Sequence, residues 1–220
     1  MDKNIRITAV MIVSVIALTV VSLLLNISNL NFGILPEFIE IQFSAVTELT
    51  AAIAFGPFVG IGVVAVKSFF YWWIAGNEPA LVIGGMLSEI VFVVVASVVY
   101  HRLRGGIIKN EDKNGNEITK IVTRRRRIMI SGMISTVIAA ALSFFVIRYI
   151  TAPWYIRVSD YTTPLFVEAY KSAVASVSDL TSAIARVNVP LLLLEYFVST
   201  VVCSFIYKPL SYVMHGRFIR

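Results

Sequence analysis

The chain has 220 residues, of which 58% are hydrophobic and only 15% charged, with a mean hydropathy of +0.83 and a formal net charge of +6. A soluble domain normally carries about 25% charged residues, so this composition excludes one and predicts an all-α integral membrane protein. The positive charge is read as a topological signal rather than a nucleic-acid site, because it is concentrated where a membrane protein keeps its cytoplasmic loops.

Six apolar spans are predicted, at about 9–25, 43–55, 58–74, 80–100, 128–150 and 189–207, within a single membrane domain covering 1–220. The first begins near the start and lacks a small-residue cleavage site, so it reads as a retained helix rather than a signal peptide. Residues 26–42 follow, with Asn26, Asn29, Asn31, Gly33 and Pro36, and read as an irregular outer loop. The second span is short, breaks at Gly56-Pro57 and should pair antiparallel with the third. Gly76-Asn77-Glu78-Pro79 is an outer turn. The fourth and fifth spans flank a basic loop, 101–127, running from His101-Arg102-Leu103-Arg104 to Arg124-Arg125-Arg126-Arg127.

A second outer segment, 151–188, opens with Pro153-Trp154-Tyr155. Its Phe166, Ala169, Tyr170, Ala173, Val177, Leu180 and Ile184 recur at spacings of three and four. That pattern predicts an amphipathic lid helix across the outer mouth of the bundle, before the last span. Long ordered segments of this kind tend to be lids or binding loops. Cys203, the single cysteine, falls inside the last span and reads as a packing residue.

This arrangement places 14 of the 19 Lys and Arg residues on one side: Lys3, Arg6, the nine of the 101–127 loop, Lys208, Arg217 and Arg220. Both termini are therefore expected in the cytoplasm of a multi-pass protein of the bacterial plasma membrane. No Gly-rich phosphate loop, nucleophile–histidine pair or metal-ligand cluster is present in the sequence. Catalysis, cofactors and metals are not expected.

Charged residues inside a membrane are costly and by default mark function. Four fall within the spans: Glu48, Lys67, Glu89 and Glu195, with Arg148 near an outer rim. At 1.5 Å rise per residue, Glu48 and Lys67 lie at similar heights above the inner face, which predicts an ion pair. Glu89 and Glu195 lie below the outer surface by the same measure. With Arg148 they are expected to form an outward-opening pocket, with Trp154 or Tyr155 stacking on a bound ring.

The stretch Ile41-Gln42-Phe43-Ser44 through Ala54-Phe55-Gly56-Pro57-Phe58-Val59-Gly60 to Val66-Lys67 resembles the second and third helices of the S components of energy-coupling factor (ECF) vitamin transporters. The riboflavin-type branch is the nearest. Gly84-Gly85 through Glu89 and Val189-Pro190 through Glu195 occupy the places of that family's fourth- and sixth-helix binding segments. The resemblance covers most of the chain. It implies a substrate-binding subunit of an ABC-type importer that works with a membrane coupling subunit and two ATPases.

The expected substrate set is Ser88, Glu89, Arg148, Trp154, Tyr155 and Glu195, with Asn29 and Asn188 from the outer segments. Where riboflavin-type members tend to carry an Asn, this chain has Ser88-Glu89, and where they carry a Lys after the sixth-helix Pro it has Glu195. Two carboxylates suit a pyridoxine-like, flavin-like or thiamine-like ligand with hydroxyls or a protonatable nitrogen. The family's Ala-x-x-x-Ala docking motif is represented by Ala9, Val13, Ser14 and Ala17. Two other readings stand beside it: a stand-alone proton-coupled carrier, and a non-transport membrane protein whose arginine loop binds anionic lipid.

Overall fold

The computed structural model describes residues 3–28, 36, 38–103, 107–111, 117–121, 123–159 and 161–214. In chain order the elements are α1 (Lys3–Ile27), α2 (Ala45–Phe55), α3 (Pro57–Ala75), α4 (Pro79–Arg102), the strands β1 (Ile107–Glu111) and β2 (Glu117–Ile121), α5 (Arg124–Val146), α6 (Ala152–Val158), α7 (Thr163–Ala173), α8 (Leu180–Ala183) and α9 (Val189–Met214). A π-helical turn, Ile147–Thr151, joins α5 to α6, and another, Ile184–Asn188, joins α8 to α9.

Five helical stretches among the described residues are long and apolar enough to cross a membrane: Thr8–Ile27, Pro57–Ala75, Pro79–Arg102, Arg124–Val158 and Leu180–Tyr212. Apolar α2 has 11 residues and is only about 16 Å long. It stops at Gly56, whose φ of 102° places it in a region that side chains rarely enter, and Pro57 then starts α3 with a ring already set for a first helical turn. α3 ends at Gly76 in the left-handed conformation.

The structure departs from expectation in two places. The amphipathic stretch expected as one helix from Phe166 to Ile184 is broken, because Val174 is extended and the helix resumes only at Leu180. Asp179 makes the restart favourable: its carboxylate accepts from the Thr181 and Ser182 amides, and the Ser182 hydroxyl bonds back to the Asp179 amide. The Ser182 hydrogen bonds hold the Asp179 carboxyl below its usual range. The cap is therefore fully formed above the ordinary carboxylate pKa and is lost only as the pH falls through the depressed value. The second departure is in the basic loop, where β1 and β2 form an antiparallel hairpin in register from Ile107↔Ile121 to Glu111↔Glu117. Residues 104–106 and 112–116 lie outside the described residues.

Four cations at the start of α5 oppose the helix dipole. Aromatic rings from neighbouring helices compensate: Arg125 lies 3.9 Å from the Phe205 ring centre, Arg127 5.4 Å from Tyr100 and Arg124 5.7 Å from Tyr207. Beyond them α5 buries small residues, including Ser131, Gly132, Ser135, Ala139 and Ala140. Such a stripe lets helices approach closely in lipid, and a Cβ on Gly132 would overlap Thr200 of α9.

The centre of the bundle is not wholly apolar. Lys67 of α3, 1% exposed, has its Nζ 3.0 Å from Glu48 Oε1 of α2 and 2.7 Å from Glu89 Oε2 of α4. It donates to Glu89 Oε1 as well, at 2.8 Å. The pairing with Glu48 joins α2 to α3, and Glu89 extends it to α4. Heights counted from opposite faces of the membrane do not by themselves bring Glu89 to Lys67. Both are ten residues into their helices, about 15 Å, so the counts meet at mid-depth.

Two outcomes test this frame in detergent-solubilised protein. An added Cβ at Gly60 would sit 2.6 Å from Ala52 Cβ, so Gly60→Ala should lower stability by about 1–3 kcal/mol, read from the thermal midpoint. Gly62→Ala, with nothing within 4 Å of its new Cβ, should leave the midpoint unchanged. Lys67→Met strands two buried carboxylates and should cost about 3–5 kcal/mol, more than Glu48→Gln, which leaves the Lys67–Glu89 pair intact. Exchanging the charges of Glu48 and Lys67 should not restore stability, because it sets a carboxylate against Glu89.

Candidate functional site

A cavity of about 420 Å³ opens at the end of the bundle opposite the Arg124–Arg127 run. The last turns of α3, the first turns of α4 and α9, the π turn after α5, and the segment 38–42 converge on it. This volume is in the range of small-molecule sites. Its floor is the Lys67 cluster. Ser44, at the start of α2, accepts from Lys67 Nζ at 3.3 Å and donates to Glu89 Oε1 at 3.4 Å. Ser22 of α1 donates to Glu48 Oε1 at 3.0 Å.

Above the floor stand further carboxylates. Glu195 of α9 is buried on the cavity wall and accepts from the Gln42 backbone amide. Glu40 receives the Tyr71 hydroxyl at 2.6 Å and the Gln42 side-chain amide at 3.0 Å, both on Oε2. Glu78 lies in the lining at the start of α4.

The opposite wall is aromatic. Phe38 stacks on Phe166 of α7 with ring centres 4.4 Å apart, and Tyr155, Tyr161 and Tyr170 surround it at 5.3–5.9 Å. Tyr170 donates to Asn188 Oδ1 at 2.8 Å, tying α7 to the π turn before α9. In this way α7 turns Phe166, Val167 and Tyr170 inward and leaves Glu168, Lys171 and Ser172 outside.

Both π turns end on the cavity, with Thr151 and Asn188 as their last residues. Such turns are frequent at functional sites because the extra residue re-aims the helix face. Thr151 comes so close to α4 that Gly84 cannot be replaced by a larger residue without displacing it. Among the described residues the Thr151 hydroxyl and the Asn26 amide oxygen, both buried in the lining, have no hydrogen-bond partner. Buried polar atoms of this kind cost stability unless something bonds them.

Of the expected substrate residues, Ser88, Glu89, Tyr155, Asn188 and Glu195 line the cavity. Asn29 lies outside the described residues. Arg148 and Trp154 are not in the lining. Arg148 sits in the first π turn, where its Nε donates to Thr181 Oγ1 at 3.1 Å and its guanidinium lies over the Tyr149 ring, so its partners lie away from Glu89 and Glu195. Trp154 is 37% exposed on the outer surface. Phe38, Glu40, Tyr71, Thr151, Phe166 and Tyr170 were not foreseen. A signal existed for Tyr71, which is one helical turn after Lys67 and so shares its face, unlike exposed Trp72 and Trp73. Glu40 and Phe38 lie in irregular chain, where no periodicity announces which side chains turn inward.

On α1, Val13 is 65% exposed, Ala9 and Ala17 are also exposed, and half-buried Ser14 donates to the Val10 carbonyl at 2.7 Å. An apolar groove lies between α1 and α3, lined by Ile12, Ile16, Val20, Val59, Val66 and Phe70 among others.

Comparison with known proteins agrees with this architecture. The family model of the substrate-specific component of ECF transporters matches residues 7–214. The riboflavin transporter FmnP of Bacillus subtilis (strain 168) is 27% identical over 95 residues, which are 42% of this chain and 50% of that protein, so the match spans about half of the relative's length. A solved structure of the S component of a bacterial ECF transporter shares the fold, with a TM-score of 0.56 over 100% of this chain and 99% of that one, at 18% identity. This chain is a multi-pass membrane protein and belongs to the family of substrate-specific components of ECF transporters.

Proposed function

We propose that this chain captures a small water-soluble vitamin or related micronutrient outside the cell and presents it to a coupling subunit driven by two ATPases. Pyridoxine-like, thiamine-like and flavin-like molecules are the candidate cargo. The observation that carries the reading is a polar and aromatic cavity sunk into one end of an otherwise lipid-facing bundle, opposite the basic end. With the basic end in the cytoplasm, the cavity faces outward. Six crossings, the short α2 among them, then return both termini to the cytoplasm.

In this reading α7 is the lid. Its inward Phe166 and Tyr170 meet Phe38 over the cavity, so lid and first outer loop close together or open together. The lipid-facing side of α1, with Ala9, Val13, Ser14 and Ala17, docks on the coupling subunit. Its exposed small and apolar side chains suit close helix packing within the membrane, where polar contacts are few.

Purification from the native host should bring down ATPase subunits together with the chain, and mass spectrometry of the extracted protein should reveal a small vitamin-like molecule. In proteoliposomes holding the whole assembly, uptake should require ATP. Uptake driven by a proton gradient without ATP would overturn the reading. Val13→Lys should sharply reduce the co-purified coupling subunit while leaving ligand binding by the isolated chain intact.

A further inference from the structure

If this cavity is the capture site, its chemistry narrows the cargo. Glu40, Glu78, Glu89 and Glu195 line it, and among the described residues Lys67 is the one cation in the lining. That lysine is already engaged. Its Nζ lies 2.7–3.0 Å from Glu48 and Glu89 and donates to Ser44 at 3.3 Å, which leaves it no proton for an incoming anion. Arg148 is not in the lining; its Nε donates to Thr181 and its guanidinium lies over the Tyr149 ring.

Acceptors are in surplus. Glu195 takes a bond from the Gln42 backbone, and Glu40 accepts from Gln42 and Tyr71 on Oε2. Among the described residues the Asn26 amide oxygen is buried in the same lining without a donor, and the Thr151 hydroxyl, which can give or take a bond, is buried there without a partner. A site built this way is completed by a ligand that brings hydrogen-bond donors and positive charge. A phosphate or carboxylate would face a lining of carboxyl groups and meet, among the described residues, no cation that is not already paired. The facing wall of Phe38, Tyr155, Phe166 and Tyr170 offers π faces, which attract both flat rings and cations.

We infer that the cargo is an organic cation: a flat nitrogen-containing ring that carries positive charge and hydrogen-bond donors and no phosphate or carboxylate. The inference rests on the S-component reading and selects among its ligand classes. Glu195 and Glu40 are the groups that bind the charge, and Glu89 belongs to the floor that neutralises Lys67.

The test is calorimetric binding to the purified full chain in lipid nanodiscs, with probes that vary charge on related rings. Pyridoxamine and thiamine represent the cations, pyridoxine and riboflavin the neutral molecules, and pyridoxal 5′-phosphate the anion. At least one cation should bind more tightly than every neutral probe, and the anion should bind on the order of 100-fold more weakly than that cation. Glu195→Gln should lower the affinity for the cation by about tenfold while changing that for riboflavin little. Glu40→Gln, at the half-exposed upper wall and away from the buried floor, should shift the preference in the same direction even if the first variant folds poorly.

Tighter binding of riboflavin or the phosphate than of both cations would overturn the inference and leave the S-component reading standing. Failure of every probe to bind would also overturn it, because the cation class is represented twice. The S-component reading is judged separately, by co-purification with the ATPase subunits.

Discussion

Lys67 carries an ammonium group into the middle of the helix bundle, where desolvating an unpaired charge costs many kcal/mol. Everything around it is arranged to make that position tolerable. Two carboxylates from two other helices approach within hydrogen-bond distance, and two serines, from α1 and the start of α2, complete the cluster. The four helices that meet there cannot slide past one another without separating opposite charges in a medium that screens them poorly. The cluster thus sets register and depth for α1 to α4 at one point, and the cavity above inherits its floor from it.

The cavity itself follows from the shortness of α2. A helix of 11 residues leaves half the membrane thickness to be filled by the chain before it. Irregular backbone at membrane depth is tolerated where it is buried in protein or lines a polar space. Segment 38–44 meets that condition: the Gln42 amide bonds Glu195, the Gln42 side chain bonds Glu40, and Ser44 reaches the lysine cluster. Phe38 then turns its ring to the aromatic residues of α7 and its neighbours. The polar space and the irregular chain require one another.

What the sequence made legible was governed by periodicity and charge. Long apolar spans, the Gly56-Pro57 break and the basic loop follow from hydropathy and stereochemistry that do not depend on tertiary detail. The intramembrane carboxylates were visible because such residues are rare in lipid. Their partners are less legible: residue counting gives height but not the azimuth of a side chain, so it does not show that Arg148 turns to Thr181 or that Glu89 reaches Lys67. The break in the lid stretch turned on Asp179, a capping residue whose local hydrogen bonds outweigh an unbroken apolar pattern. Irregular segment 38–42 could not be read at all, since its inward side chains are chosen by the cavity rather than by any repeat.

The two π-helical turns lie at the cavity ends of the helices that carry Thr151 and Asn188, above the close small-residue contacts between α5 and α9. A π turn is a one-residue slip in the helical frame. Gaining or losing a residue there rotates the outer segment by about 100° against the helix below, while the packed lower half keeps its register. A single insertion or deletion can therefore re-deal which side chains face the cargo without unsettling the membrane-embedded scaffold. Diversification of ligand choice and preservation of the bundle are mechanically separable in this chain.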